Sequence, residues 1–112
     1  MGLKTIAPHA LRKCLDAGSA VAIDVNARAD ASRMCVPTAR CLDHATFAAD
    51  DLPADRDITL VFYCSNPMCS RAPRAARRAL RMGYRDVRVM SAGISGWIAA
   101  GLPTVAGEPQ RA

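Results

Sequence analysis

The chain has 112 residues, of which 51% are hydrophobic and 22% charged, with a formal net charge of +5. This length and composition are typical of one globular domain, here residues 1–112, and no apolar run approaches the roughly 20 residues that a membrane span needs. The N-terminus lacks a basic region followed by an apolar stretch, so no secretory signal is expected and a cytoplasmic location follows by default.

The predicted elements alternate between helices and short apolar strands. In chain order we expect a helix over 7–17, strands over 21–25 and 39–42, a helical turn over 44–49, a strand over 58–63, a helix over 72–82, a strand over 86–90 and a helix over 94–100. Short buried strands separated by helices predict an α/β fold, with a parallel sheet covered on both faces.

The segment 64–71, Cys-Ser-Asn-Pro-Met-Cys-Ser-Arg, lies between the strongest predicted strand and the strongest predicted helix. It therefore brings Cys64 to a helix N-terminus beyond the carboxyl end of a parallel strand, where such sheets bind ligands. The backbone N–H groups of residues 65–71 and the charge of Arg71 should lower the pKa of Cys64. The sequence thus predicts a nucleophilic cysteine.

Positive charge is concentrated downstream of this segment, in Arg71, Arg74, Arg77, Arg78, Arg81, Arg85 and Arg88. Such a stripe could attract small anions or an acidic partner surface, or it could be a solvated helix face. Nucleic-acid binding is not expected, because Tyr84 is the only aromatic residue among these arginines.

Four segments have a distinctive order along the chain: Ala22-Ile-Asp-Val25, Val61-Phe-Tyr-Cys64, residues 75–84 and residues 87–103. Together they resemble the single-domain rhodaneses of the sulfurtransferase superfamily. Ala22-Ile-Asp-Val25 is similar to the family's strand ending in Asp-Val-Arg, and Val61-Phe-Tyr-Cys64 to its strand ending in the catalytic cysteine. Residues 75–84 resemble the following helix and its Gly-Tyr turn. The most specific match is 87–103, which is similar to the family's strand, Gly-Gly turn, helical Trp and Ala-Gly-Leu-Pro ending.

The resemblance implies a five-stranded parallel sheet flanked by helices. It also implies that Cys64 attacks a sulfur donor such as thiosulfate, becomes a persulfide and passes the sulfur to a thiophilic acceptor, such as cyanide, a thiol or a protein. No cofactor or metal is implied, no membrane partner is expected, and no pattern specifies an oligomeric state. The substrate would be held by the loop residues Ser65, Asn66, Pro67, Met68, Cys69, Ser70 and Arg71, chiefly through backbone amides.

The loop is longer than the commonest rhodanese loop, in which four residues separate the cysteine from an arginine. Six residues separate Cys64 from Arg71, which predicts a wider pocket. Phosphatases that share the fold have five residues there. A subset of rhodanese-like domains resembles this loop, with a proline before a second cysteine.

Three residues outside the loop bear on the predicted site. Asp24 would brace the active-site side of the sheet, as it does in the resembled family. Asn26 stands where an arginine is common. Cys35 lies in the stretch 32–39, which replaces the family's Gly-His-Ile-Pro-Gly-Ala turn near the catalytic loop and keeps only its Pro and Ala.

Cys69 admits three interpretations. As a resolving thiol it would form a disulfide with Cys64 or take over its persulfide. As a zinc ligand it would need to recruit Cys35, Cys41 or His44. As a passive thiol it would have no chemical role. The chain has five cysteines, and this odd number argues against a framework of structural disulfides.

These patterns favour a thiosulfate or persulfide sulfurtransferase with Cys64 as the persulfide carrier. Two other functions stay open. One is a non-catalytic rhodanese-like module that binds a protein partner through its basic helix. The other is a thiol-disulfide enzyme, similar to arsenate reductases, that uses Cys64 and Cys69.

Overall fold

The computed structural model describes residues 2–26 and 34–106, to which every structural statement below refers. In chain order its elements are strand β1 (Lys4–Thr5), helix α1 (Pro8–Asp16), strands β2 (Ala20–Asp24), β3 (Met34–Cys35) and β4 (Arg40–Cys41), a 3-10 helix (Ala49–Asp51), strand β5 (Thr59–Tyr63), helix α2 (Arg71–Arg81), strand β6 (Val87–Val89), helix α3 (Gly93–Ala99) and strand β7 (Val105–Ala106).

A five-stranded sheet has the spatial order β1-β6-β5-β2-β4, and every neighbouring pair in it is parallel. Strand β5 lies in the centre, and its partner β2 is in register with it from Ala20 opposite Thr59 to Asp24 opposite Tyr63. Both strands are almost completely buried, as expected where helices cover both faces. The predicted five-stranded parallel sheet is confirmed.

Helix α2 covers one face of the sheet through four buried alanines, Ala72, Ala75, Ala76 and Ala79. Alanine has no side chain beyond Cβ, so this helix can lie close to Phe62 and the other strand residues of that cluster. Its exposed side carries charged residues, which is the amphipathic pattern of a surface helix.

Helices α1 and α3 cover the opposite face. Leu11 of α1 and Trp97 of α3 are fully buried there with Val61 and Tyr63 of β5. The indole N–H of Trp97 donates a hydrogen bond to the carbonyl of Pro103 at 2.8 Å, so its polar atom is satisfied at the edge of the core. None of the three described helices is long and apolar enough to cross a membrane.

Strands β3 and β7 form a separate two-stranded antiparallel sheet, with Cys35 opposite Val105. These strands and β1 were not predicted, since each has only two residues and β1 and β7 are exposed. The first two residues of the stretch 32–39 lie outside the described ranges.

The predicted helices and the four predicted strands are confirmed, with ends that differ by one or two residues. In place of the predicted helical turn over 44–49, the structure has two shorter turns. A single turn is closed by the N–H of Phe47 and the carbonyl of Asp43 at 3.2 Å, and the 3-10 helix follows it. The Asp43 and Asp51 carboxylates accept hydrogen bonds from the backbone N–H groups of Ala45 and Ala48, which cap the start of each turn.

Candidate functional site

Cys64 directly follows β5 and is buried, with 3% of its surface exposed. The backbone on both sides of its peptide bond is held by α3: the carbonyl of Cys64 accepts a hydrogen bond from Ile94 at 2.9 Å, and that of Ser65 accepts one from Ser95 at 3.1 Å. The start of the loop is therefore fixed by a second element besides the strand that leads into it.

Gly93 allows this close approach. Its φ of +68° is strained for any residue with a side chain, and an added Cβ would lie 2.6 Å from the backbone nitrogen of Asn66 and 2.7 Å from the carbonyl of Ser65. Glycine is required here for both reasons. The resemblance to the family's Gly-Gly turn pointed to this part of the chain, but it did not predict the contact of Gly93 with the backbone of Ser65 and Asn66.

The loop then folds back on itself at Asn66. The Asn66 carbonyl accepts a hydrogen bond from the N–H of Cys69 at 3.1 Å, and its side-chain oxygen accepts one from Met68 at 2.9 Å. This turn exposes Met68, which is 91% accessible, and returns Cys69 to the neighbourhood of Cys64. The side chains of Cys64 and Cys69 are in hydrogen-bonding contact with each other.

Backbone N–H groups converge on this pair of sulfurs. Ser65 and Ala72 donate to the sulfur of Cys64, and Arg71 and Ser65 donate to the sulfur of Cys69. The donors come from the loop and from the first turn of α2, where amides have no partner within the helix. The arrangement is suited to holding negative charge on sulfur.

The pKa values of the two thiols are shifted in opposite directions. Burial, followed by the hydrogen bond to Cys69, raises the pKa of Cys64 to about 11. Burial also opposes ionisation of Cys69, but the hydrogen bond from Cys64, the amides of Arg71 and Ser65 and the charge of Arg71 together lower the pKa of Cys69. The pair therefore loses its first proton from Cys69. The expectation of a lowered pKa at Cys64 is wrong for this arrangement, because Cys64 is the more buried thiol and faces a second ionisable sulfur.

Both cysteines border a pocket of about 40 Å³, which is room for roughly three water-sized groups. Its walls are mostly apolar and include Pro67, Ala72 and Met90. The predicted substrate-binding residues are distributed unevenly around it. Asn66, Pro67 and Cys69 border the pocket, Ser65 and Arg71 direct amides at the sulfurs, and Met68 and Ser70 are exposed.

Arg71 is the first residue of α2. One terminal nitrogen of its guanidinium, Nη1, is buried and has no hydrogen-bond partner among the described residues. Because leaving a buried donor unpaired is costly, this nitrogen is available to bind an anion. Arg71 is not among the described residues that border the pocket.

Asp24 lies beneath the loop at the end of β2 and is 3% exposed. Its carboxylate accepts hydrogen bonds from the backbone and side-chain nitrogens of Asn26, both at 2.8 Å, and from the hydroxyl of Tyr63 at 3.0 Å. The Tyr63 hydroxyl accepts one from the N–H of Val36 at 3.1 Å. Ser65 donates to the side-chain oxygen of Asn26 at 2.8 Å, which joins the loop to this network.

Cys35 is buried in β3 and lies against the same network. Burial, the Asp24 charge and the proximity of Cys35 raise the pKa of Tyr63, so that its hydroxyl stays protonated. Cys35 is not among the described residues that border the pocket. The role of Tyr63 was not predicted, although this tyrosine directly precedes Cys64 in the sequence.

A zinc site at Cys69 has no support within the described ranges. They contain no group of three or more His, Cys, Asp or Glu side chains placed to hold a metal ion. Cys41 lies in β4 and His44 in the turn that follows it.

The six arginines that follow Arg71 in the predicted basic stripe divide into two sets. Arg78 donates to the carbonyl of Phe47 at 2.9 Å and lies over its ring, while Arg85 pairs with Asp57 and Arg88 with Asp86. The other set is exposed on α2 and makes no ion pair with another described residue; it consists of Arg74, Arg77 and Arg81.

A family model for the rhodanese-like domain matches residues 7–100. The chain belongs to the rhodanese-like domain family. This match confirms the resemblance drawn from the sequence, and the positions of Cys64 and Cys69 are compatible with the longer loop of some rhodanese-like domains.

Solved structures show the same fold. The rhodanese-like domain is similar to thiosulfate sulfurtransferase from Pseudomonas aeruginosa, with a TM-score of 0.84, 21% identity and coverage of 97% of this chain and 21% of that one. It is also similar to a human single-domain sulfurtransferase, with a TM-score of 0.72, 22% identity and coverage of 88% and 97%. A rhodanese-related protein from Thermoplasma volcanium has a TM-score of 0.75, 19% identity and coverage of 92% and 98%. No curated protein matches the sequence.

Proposed function

We propose that this rhodanese-like domain is a sulfurtransferase that carries a sulfane sulfur as a persulfide on Cys64. The observation that carries the proposal is the convergence of backbone N–H groups from Ser65 and Ala72 on the sulfur of a cysteine that borders a pocket. Such donors stabilise an anionic sulfur without reorganisation. The donor is a small molecule such as thiosulfate or a persulfide, and the acceptor is a thiol or a protein.

The first step needs the thiolate of Cys64. The hydrogen bond between the two thiols provides a path for the proton, because a Cys69 thiolate can accept the proton of Cys64 directly. The Cys64 thiolate then attacks the outer sulfur of thiosulfate. The S–S bond of thiosulfate breaks, its electron pair leaves with sulfite, and Cys64 becomes a persulfide.

Two features of the site support the proposal. The unpartnered Nη1 of Arg71 is a charged hydrogen-bond donor, which suits an anionic sulfur donor. The pocket that Cys64 borders has room for the added sulfur. We place the reaction in a reducing compartment such as the cytoplasm, since it uses free thiols.

The alternative function as a non-catalytic binding module has one supporting observation. Arg74, Arg77 and Arg81 are exposed on α2 and make no ion pair with a described residue, so they are available to an acidic partner surface. This alternative does not require Cys64 to react, and one experiment separates it from the enzyme.

The test is sulfur transfer from thiosulfate to cyanide by pre-reduced protein, measured as thiocyanate, with sulfite measured alongside. We expect Cys64→Ala to lower the rate by at least about a thousandfold, because the attacking group is removed. Cys14→Ala is the matched control, since Cys14 lies on α1 and should leave the rate unchanged. A folded wild-type protein that releases neither product, or equal rates in Cys64→Ala, would exclude the proposal and favour the binding module.

A further inference from the structure

Cys69 lies beside the sulfur on which the proposed persulfide would form, and its proton-accepting role in the first step does not use its capacity to form a disulfide. The sulfurs of Cys64 and Cys69 are hydrogen-bonded to each other, and both cysteines border the same pocket. Cys69 is the less buried of the two, and it is held back against Cys64 by the turn at Asn66. The persulfide would therefore form beside a second thiol.

We propose that Cys69 is a resolving thiol, which releases the transferred sulfur as hydrogen sulfide by forming a disulfide with Cys64. This inference rests on the sulfurtransferase chemistry proposed above and adds a second activity to it, the reduction of a sulfane sulfur to sulfide. The Cys64–Cys69 disulfide is then returned to two thiols by an external dithiol reductant.

The step balances without any other reagent. Cys69 attacks Sγ of the Cys64 persulfide, the bond between Sγ and the outer sulfur breaks, and the electron pair leaves with the outer sulfur. The proton that Cys69 accepted from Cys64 leaves with the same sulfur as HS⁻. The sulfane sulfur is thereby reduced by two electrons, and the two cysteine thiols are oxidised to one disulfide.

The resting contact between the two thiols favours attack on the inner sulfur of the persulfide. That contact joins the side chains of Cys64 and Cys69, so Cys69 lies next to the sulfur that becomes the inner one. Attack on the inner sulfur gives a disulfide and sulfide, whereas attack on the outer sulfur would move the persulfide to Cys69. The pocket gives the outer sulfur room beside this contact.

The loop between the two cysteines can accommodate the bond. A disulfide needs its sulfurs about 2.05 Å apart, closer than in a hydrogen bond. Residues Asn66, Pro67 and Met68 are exposed, so they can shift without loss of core packing. The lowered pKa of Cys69 favours the thiolate that must attack.

The test is a single turnover of pre-reduced protein with thiosulfate under argon, without added thiol. In the wild type we expect sulfite and sulfide in equal amounts and a protein mass lower by about 2 Da, the loss of two hydrogens on disulfide formation. Cys69→Ser lacks the group that accepts the proton of Cys64, so it is compared at the end of the reaction and not by rate. At that point we expect about one equivalent of sulfite per protein, no sulfide and a mass higher by about 32 Da, the persulfide on Cys64. Cys69→Ala repeats the measurement with a residue that cannot hydrogen-bond, and Cys14→Ala should behave as the wild type.

Any other result would overturn the proposal that Cys69 is a resolving thiol. A wild-type protein that keeps the added sulfur and releases no sulfide overturns the inference but leaves the sulfurtransferase intact. A persulfide located on Cys69 by fragmentation of the peptide 57–71, or sulfide release by Cys69→Ser in the wild-type amount, also overturns it. If no variant releases sulfite, the proposed function fails and this inference fails with it. Protein kept without thiosulfate should show no change in mass, which excludes adventitious oxidation.

Discussion

The hydroxyl of Ser65 donates a hydrogen bond of 2.8 Å to the side-chain oxygen of Asn26. This bond joins the loop after β5 to the residues after β2, and through Asn26 it connects the loop to the buried carboxylate of Asp24. The residue that stands in place of a common arginine therefore has a positioning role here. It fixes the first loop residue, whose amide is directed at both cysteine sulfurs.

We predict that Asn26 and Ser65 are energetically coupled. Asn26→Ala should lower the free energy of unfolding by about 1–2 kcal/mol, because it leaves the Asp24 carboxylate with fewer donors. Ser65→Ala should cost less, and the double variant should differ from the sum of the two by at least about 0.5 kcal/mol. Urea unfolding of the four proteins measures the cycle. Strict additivity would show that the hydrogen bond contributes nothing to stability.

A second prediction concerns the pH at which each thiol reacts. Alkylation follows the thiolate fraction, so iodoacetamide should modify Cys69 at lower pH than an ordinary thiol, and Cys64 only as the pH approaches about 11. In Cys69→Ser the pKa of Cys64 should fall, because the facing ionisable sulfur is gone. In Cys64→Ala the pKa of Cys69 should rise, since the side chain that donates a hydrogen bond to its sulfur is gone.

Mass spectrometry of the peptide 57–71 over a pH series measures both midpoints. An unchanged midpoint for Cys64 in Cys69→Ser would mean that the two sulfurs do not interact in solution.

Gly93→Ala should disrupt the loop. The substitution combines a left-handed backbone conformation with a Cβ 2.6 Å from the nitrogen of Asn66, and we expect destabilisation by about 2 kcal/mol or more together with slower sulfite release. Gly18→Ala is the matched control. Gly18 has a similar φ of +71° but nothing within 4 Å of an added Cβ, so only the conformational strain remains and sulfite release should be retained.

Thermal unfolding and single-turnover sulfite release measured on both variants separate strain from contact. Equal losses of activity in the two proteins would argue against a specific role for the approach of Gly93 to the loop.

Arg71→Gln should weaken the binding of an anionic sulfur donor. It removes a buried donor that has no partner among the described residues, and we expect the KM for thiosulfate to rise about tenfold. It should also raise the pKa of Cys69, which the Arg71 charge helps to lower. Arg74→Gln makes the same change of net charge at an exposed position of the same helix. If the two variants raise KM equally, the effect is one of general charge only.

The sequence pattern was sufficient to predict a parallel sheet through four of its five strands and the location of Cys64 at a strand end, while the resemblance supplied the count of five. The edge strand β1 and the strand order were not predicted. Apolar runs such as 58–63 and glycine stops such as Gly83 determine the main elements, and the cysteine at a strand end determines the site. The acidities of the two thiols were not predictable, because they depend on the turn at Asn66 that brings Cys69 back to Cys64. The hydrogen-bond network around Asp24 was only partly predictable from the sequence. Tyr63 donates to Asp24 and Ser65 donates to Asn26, and both donors are distant from these acceptors in the chain.

The alanine face of α2 has a consequence for the size of the substrate. Ala72, whose amide is directed at Cys64, begins the row of small residues on which the helix rests against the sheet. A bulkier residue at Ala76 would push the helix outward and withdraw its first amides from the sulfur. The size of the side chain at position 76 would thus control how large an anion this domain can hold, although this position is buried against the sheet and does not touch the substrate.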